Sequence, residues 1–125
     1  LSAKWAEAGI GCMPNGHANL SQHFHPHLTI IVDGKAESIP ANIGLTKNCM
    51  AEVHTHDATG TLHIEAVSGD KKFFLRDFFV VYGQPLDRPG YAVKIMLDGK
   101  PESKLGDLMM ADKQQIEVIY TKSSR

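Results

Sequence analysis

The chain has 125 residues, 42% of them apolar and 22% charged, with a formal net charge of −1 when its seven histidines are neutral. That length supports one hydrophobic core and no second one. The near-zero charge lacks the electrostatic footprint of a nucleic-acid binder, and no apolar run reaches the length of a membrane-spanning helix.

The sequence starts at Leu1, not at Met, which leads us to expect a processed product, so a missing signal peptide has no bearing on export. Residues 1–22 contain Gly9, Gly11, Pro14 and Gly16 and read as an irregular N-terminal arm, with a short helical turn around AKWAEA. Residues 23–125 read as a single histidine-bearing, β-rich domain. Cys12 and Cys49 sit in matching Cys-Met dipeptides, 37 positions apart. Their first reading is a disulfide, stabilising by about 3–4 kcal/mol in the chain-entropy model. The second is soft ligation of Cu(I) by Cys12, Cys49, Met13 and Met50, since thiolate and thioether favour that ion.

From His23 the chain reads HFHPH and then LTIIVDGK. The spacing puts His23, His25 and His27 on one side of an extended segment continuous with the following strand, and Pro26 assigns it to a sheet edge or a strand entry. The Asp-Gly pair after LTIIV is a hairpin signal. SIPANIGL is an extended connector.

AEVHTHDATGTLHIEA (51–66) then reads as two strands around a DATG turn. Alternation gathers Glu52, His54 and His56 on one face of the first strand, and Thr61, His63 and Glu65 on one face of the second. An even-numbered connection sets His56 opposite Thr61, His54 opposite His63 and Glu52 opposite Glu65. A three-residue loop would break that cluster. Only the in-phase register puts Val53, Leu62 and Ile64 on one core face, which favours it.

In LRDFFVVYG the apolar Leu75, Phe78, Phe79 and Tyr82 follow helical spacing, with Gly83 as the stop. YAVKIMLDGK is a strand and turn that echoes the first DGK: LTIIVDGKAES (28–38) matches VKIMLDGKPES (93–103). Two strand–turn units using one efficient turn are the simpler reading, and internal duplication the other. QQIEVIYTK closes the chain as a strand with Ile116, Val118 and Tyr120 on one face. The expected fold class is α+β, mostly β: a small mixed or antiparallel sheet, or a β-grasp-like domain, with one helix near 75–82.

The histidine face carries the chemistry. Directly opposed Cβ atoms lie about 4.5–5.5 Å apart, within reach of a shared ion at about 2.0–2.1 Å per metal–nitrogen bond. His54, His56 and His63 are therefore the primary candidate ligands, with His25, His27 and His23 as further ones and His17 as a cover. Glu52, Asp57 and Glu65 are candidates either to complete a zinc or iron site or to orient a ligand histidine from behind.

The pattern HxHxxLxIxVDGK…IPANIG…HTHDATGxxHIE, followed by FxLxDFFxxxGxPL, resembles a group of small uncharacterised bacterial and archaeal domains, often exported or membrane-anchored. The resemblance runs from about His25 to Leu86 and is most specific at HTHD-x-TG. It implies a shared histidine-bearing β domain and a periplasmic, secreted or membrane-anchored extracytoplasmic location, and it brings no activity.

The leading expectation is an exported metal-binding domain that handles, stores or senses copper or zinc, copper slightly favoured, with the ion as its partner, no nucleic acid and no membrane insertion of this domain. Two alternatives stay open. One is a mononuclear three-histidine metalloenzyme of hydrolase type, with Glu52 or Glu65 as general base. HTHD echoes the HxHxD of metallohydrolases, but no histidine follows His63 to supply a downstream ligand. The other is a disulfide-stabilised interaction domain without metal.

Overall fold

The computed structural model describes residues 2–14, 16 and 18–123. In chain order the elements are α1 (Ser2–Glu7), β1 (Cys12–Met13), β2 (Gln22–Phe24), β3 (His27–Val32), β4 (Lys35–Glu37), β5 (Met50–Ala51), β6 (Val53–His54), β7 (His63–Ala66), α2 (Leu75–Tyr82), β8 (Tyr91–Leu97), β9 (Lys100–Glu102), a 3-10 turn (Leu105–Asp107) and β10 (Gln115–Lys122). Among the described residues, no helix is long and apolar enough to cross a membrane.

The larger sheet has the order β4-β3-β10-β8-β9. Its two hairpins turn through Asp33-Gly34 (φ 49° and 83°) and Asp98-Gly99 (φ 50° and 82°). Two successive positive φ values make the tight turn that matches strand twist, and Asp-Gly tolerates them. The two aspartates do a second job. Asp98 Oδ1 accepts the Gln115 N–H at 2.9 Å and Asp33 Oδ1 accepts the Lys122 N–H at 2.8 Å, so they clip both ends of β10. β10 pairs parallel with β3 and antiparallel with β8. The DGK repeat is therefore one turn device used on both flanks of the central strand. Ile116, Val118 and Tyr120 face the core, as their alternation requires.

α2 follows the first hairpin and precedes the second, which completes an α+β, mostly β, β-grasp-like arrangement. Leu75, Phe78, Phe79 and Val81 are its buried face. Gly83 (φ 81°) ends it, donating its N–H to the Phe79 carbonyl. At the other end Asp77 accepts the Phe74 N–H at 2.8 Å, and burial pushes the Asp77 carboxyl pKa up.

Between the first hairpin and α2 the chain builds a second layer, with β2-β7-β6 in one sheet and β1-β5 in another. The expected continuous strand from His23 into LTIIV is divided. β2 joins β7, whereas β3 joins β10. Pro26 marks the division because it has no N–H for either ladder, while its carbonyl accepts the Leu62 N–H.

Residues 1–22, read as an irregular arm, hold α1 and β1, and their Trp5 and Ile10 lie in the core. Cys12 and Cys49 are joined in a disulfide with Cα atoms 5.5 Å apart, and Met13 lies opposite Met50 in the β1–β5 pair. The disulfide corrects the soft-ligand reading of the cysteines, because bonded sulfurs are no longer thiolates.

Candidate metal centre

The HTHDATG hairpin has the in-phase register. Val53 pairs with Ile64 and His54 with His63, and Val53, Leu62 and Ile64 are all buried. Its connection is wider than a DATG turn, because β6 ends at His54. Thr61 bridges to His27, not to His56, and the Gly60 carbonyl accepts the Leu28 N–H. The loop is thereby stitched to β3. Gly60 has φ 88°, and a Cβ there would meet the Leu28 carbonyl oxygen at 2.3 Å. Only glycine allows that approach.

The IPANIG connector forms the wall behind His54. Thr55 Oγ1 donates to the Pro40 carbonyl at 2.9 Å and accepts the Ile43 N–H at 3.1 Å. The Thr55 N–H returns a bond to the Ile43 carbonyl. Gly44 (φ 82°) packs so closely that an added Cβ would lie 2.7 Å from the Val53 carbonyl oxygen and 3.0 Å from His54 Cβ.

His54 itself is fully buried, and its Nδ1–H donates to the Ala51 carbonyl at 2.7 Å. That bond selects the tautomer whose Nε2 carries the lone pair, an arrangement typical of ligand histidines. Nε2 points at Glu65, 3.3 Å from Oε2. The Glu65 carboxylate is also buried and gathers two further imidazoles, with His23 Nε2 at 3.6 Å and His63 Nδ1 at 3.8 Å. The His54 and His63 rings stack at 5.3 Å, and His56 stands edge-on to both at 4.7 and 4.5 Å.

Donor atoms of His54, His56, His63 and Glu65 all lie within 4.8 Å of one another, and so do those of His23, His25 and His63. The first group is close enough to hold a metal ion. Ligands of a tetrahedral zinc are about 3.4 Å apart at ordinary bond lengths, so small side-chain adjustments close it. The His63 pKa is pushed down to about 4, by burial first and then by the neighbouring imidazoles of His56, His54 and His25, against the opposing pull of Glu65. His63 is therefore neutral, and able to ligate, throughout the physiological pH range.

Other sequence candidates lie elsewhere. The His27 ring reaches away and donates from Nε2 to the Thr59 carbonyl at 2.8 Å. Asp57 closes the loop, accepting from the Thr59 N–H and hydroxyl, and these bonds hold its carboxyl below the usual pKa. Glu52 is the irregular residue between β5 and β6. Its N–H goes to the Gly11 carbonyl and its own carbonyl accepts the Glu65 N–H. The alternation that would have faced it towards His54 is broken there. The Glu52 side chain instead accepts the Gly11 N–H at 2.7 Å and pairs with Lys71. Met13, Met50 and His56 are among the residues lining a groove of about 360 Å³. His17 lies outside the described residues.

Sequence reasoning did not find Ala51, Thr55, Gly44 or Lys71 as supports of this region. Asp57-x-Thr59 was recognisable as a side-chain-capped turn. The others depend on contacts made across the fold. No family model matches the chain, and neither does any curated protein or solved structure.

Proposed function

We propose that this domain binds a transition-metal ion through His54, His56, His63 and Glu65, and serves in metal handling outside the cytoplasm. The observation that carries the proposal is three imidazoles and one buried carboxylate within 4.8 Å of one another. Four protein donors complete a tetrahedral shell, which suits holding and passing on an ion better than activating water at an open position. His56 is exposed while His54 and Glu65 are buried, so the site combines one solvent-facing ligand with two enclosed ones.

Copper stands ahead of zinc in this reading. Divalent copper outranks zinc at imidazole and carboxylate donors, and Met13 and Met50 line the same groove as His56. The disulfide supports an oxidising compartment, in keeping with the export that the sequence resemblance implies.

The test is calorimetric titration of untagged, metal-free protein with Cu(II) and with Zn(II). The expected result is submicromolar binding, weakened about 100-fold or more in His54→Ala and in His63→Ala. Millimolar binding, or submicromolar binding untouched by both changes, would contradict the assignment.

A further inference from the structure

The structure assigns a second ion position, facing solvent, to His23, His25 and His63, adjoining the buried one; this rests on the metal-binding reading above. β2 is the edge strand of the β2-β7-β6 sheet, and its register sets His23 opposite Glu65. The side chains of His23 and His25 lie two residues apart on this segment, with ring centroids separated by 4.8 Å. The His25 ring stands edge-on to His63 at 4.7 Å. One donor from each of the three lies within 4.8 Å of the others.

The segment is held from its far side. The His25 N–H donates to Asp112 Oδ1 at 3.0 Å, and the His25 carbonyl accepts the Lys113 N–H at 3.2 Å. A histidine whose backbone is anchored on both sides is oriented before any ion arrives, which lowers the ordering cost of binding.

His63 belongs to both donor groups; its neutral ring has one lone pair, so holding both ions at once requires release of the remaining ring proton to solvent, leaving an imidazolate bridge. His23 is exposed and His25 half-buried, whereas His54 and Glu65 are fully enclosed. Both positions have one solvent-facing histidine, His23 or His56, but the inner one also has two enclosed ligands, so it holds its ion longer. An ion taken up at His23 and His25 passes inward by trading those ligands for His54 and His56, with His63 common to both positions. This transfer needs no redox partner, and filling both positions together releases one proton from the His63 ring to solvent. The imidazole donors select late divalent transition metals such as Cu(II) and Zn(II) over Mg(II) or Ca(II).

Titration of untagged, metal-free protein with Cu(II) is expected to give two equivalents with distinct affinities. In a His23→Ala/His25→Ala variant the weaker equivalent should vanish while the tight one stays. Electron paramagnetic resonance of wild-type protein, which needs no variant to fold, should show broadening or loss of the signal through coupling of the two ions when the second equivalent is added. Saturation at one equivalent, a variant that still takes two, or an unbroadened second signal would overturn the outer position. If one tight equivalent remains and His54→Ala removes it, only this inference fails. If no ion binds at all, the metal-binding reading fails with it.

Discussion

The five-stranded sheet and the histidine layer solve the same packing problem by opposite means. In the sheet, local rules suffice: alternation, Asp-Gly turns and one helix with a glycine stop. Its polar groups are satisfied by close neighbours or by the strand alongside, as when Asp33 and Asp98 clip the ends of β10. The histidine layer buries Glu52, His54, Thr55 and Glu65, and relies on side-chain bonds and a disulfide between short or irregular segments: IPANIG to Thr55, Gly11 to Glu52, Cys12 to Cys49. Burying ionisable groups is costly unless something compensates them. The histidine layer carries this load on staples from several sides, whereas the sheet is held by its own ladders and turns.

The contrast is most sharply broken by removing the staple. Cys12→Ser is expected to cost about 4 kcal/mol in urea unfolding, from the loop-closure entropy of a 37-residue separation. A loss below about 1 kcal/mol would mean that the histidine layer is organised without the disulfide.

Next come the glycines. Gly60→Ala should cost about 3 kcal/mol or more, because positive φ and a backbone collision act together. Gly34→Ala has the positive φ but open space around it, so it should cost only about 1–2 kcal/mol. Equal costs in the two positions would erase the proposed difference between the regions.

The metal-free protein should also weaken in mild acid. His63 has a folded pKa of about 4 against an ordinary 6.5. Between those values the unfolded chain binds more protons, so stability is full above pH 6.5 and falls as pH drops towards 4. Urea midpoints of metal-free protein across that range check the sign, and midpoints that rise on acidification would contradict it. The smallest effect is expected in the sheet, where Asp98→Gly removes one turn-to-strand bond but still tolerates φ 50°, at a cost of about 1 kcal/mol, measured in the same assay.

What the sequence revealed follows the same division. The α2 face, the two Asp-Gly turns and the alternation of β10 were legible because each depends on residues near one another in the chain. The pairing of His54 with His63 was legible for the same reason, since Val53, Leu62 and Ile64 permit one register. The turning of Glu52 towards Gly11 and Lys71 was not, because it depends on β1 and on the segment after β7. Pro26 was visible as a ladder breaker, but only the completed fold makes it the point where the chain changes sheets. His27 left the cluster because the loop around Thr59 reached it first.

The central claim is that the hairpin register brings His54, His56, His63 and Glu65 onto one ion. Anomalous diffraction from crystals of the protein loaded with one equivalent of Cu(II) tests it most directly. The predicted result is a single strong peak at about 2.0–2.2 Å from donor atoms of His54, His56 and His63, with Glu65 completing the shell. A peak that leaves His54 and Glu65 outside bonding distance, or no ordered peak at one equivalent, would contradict the account.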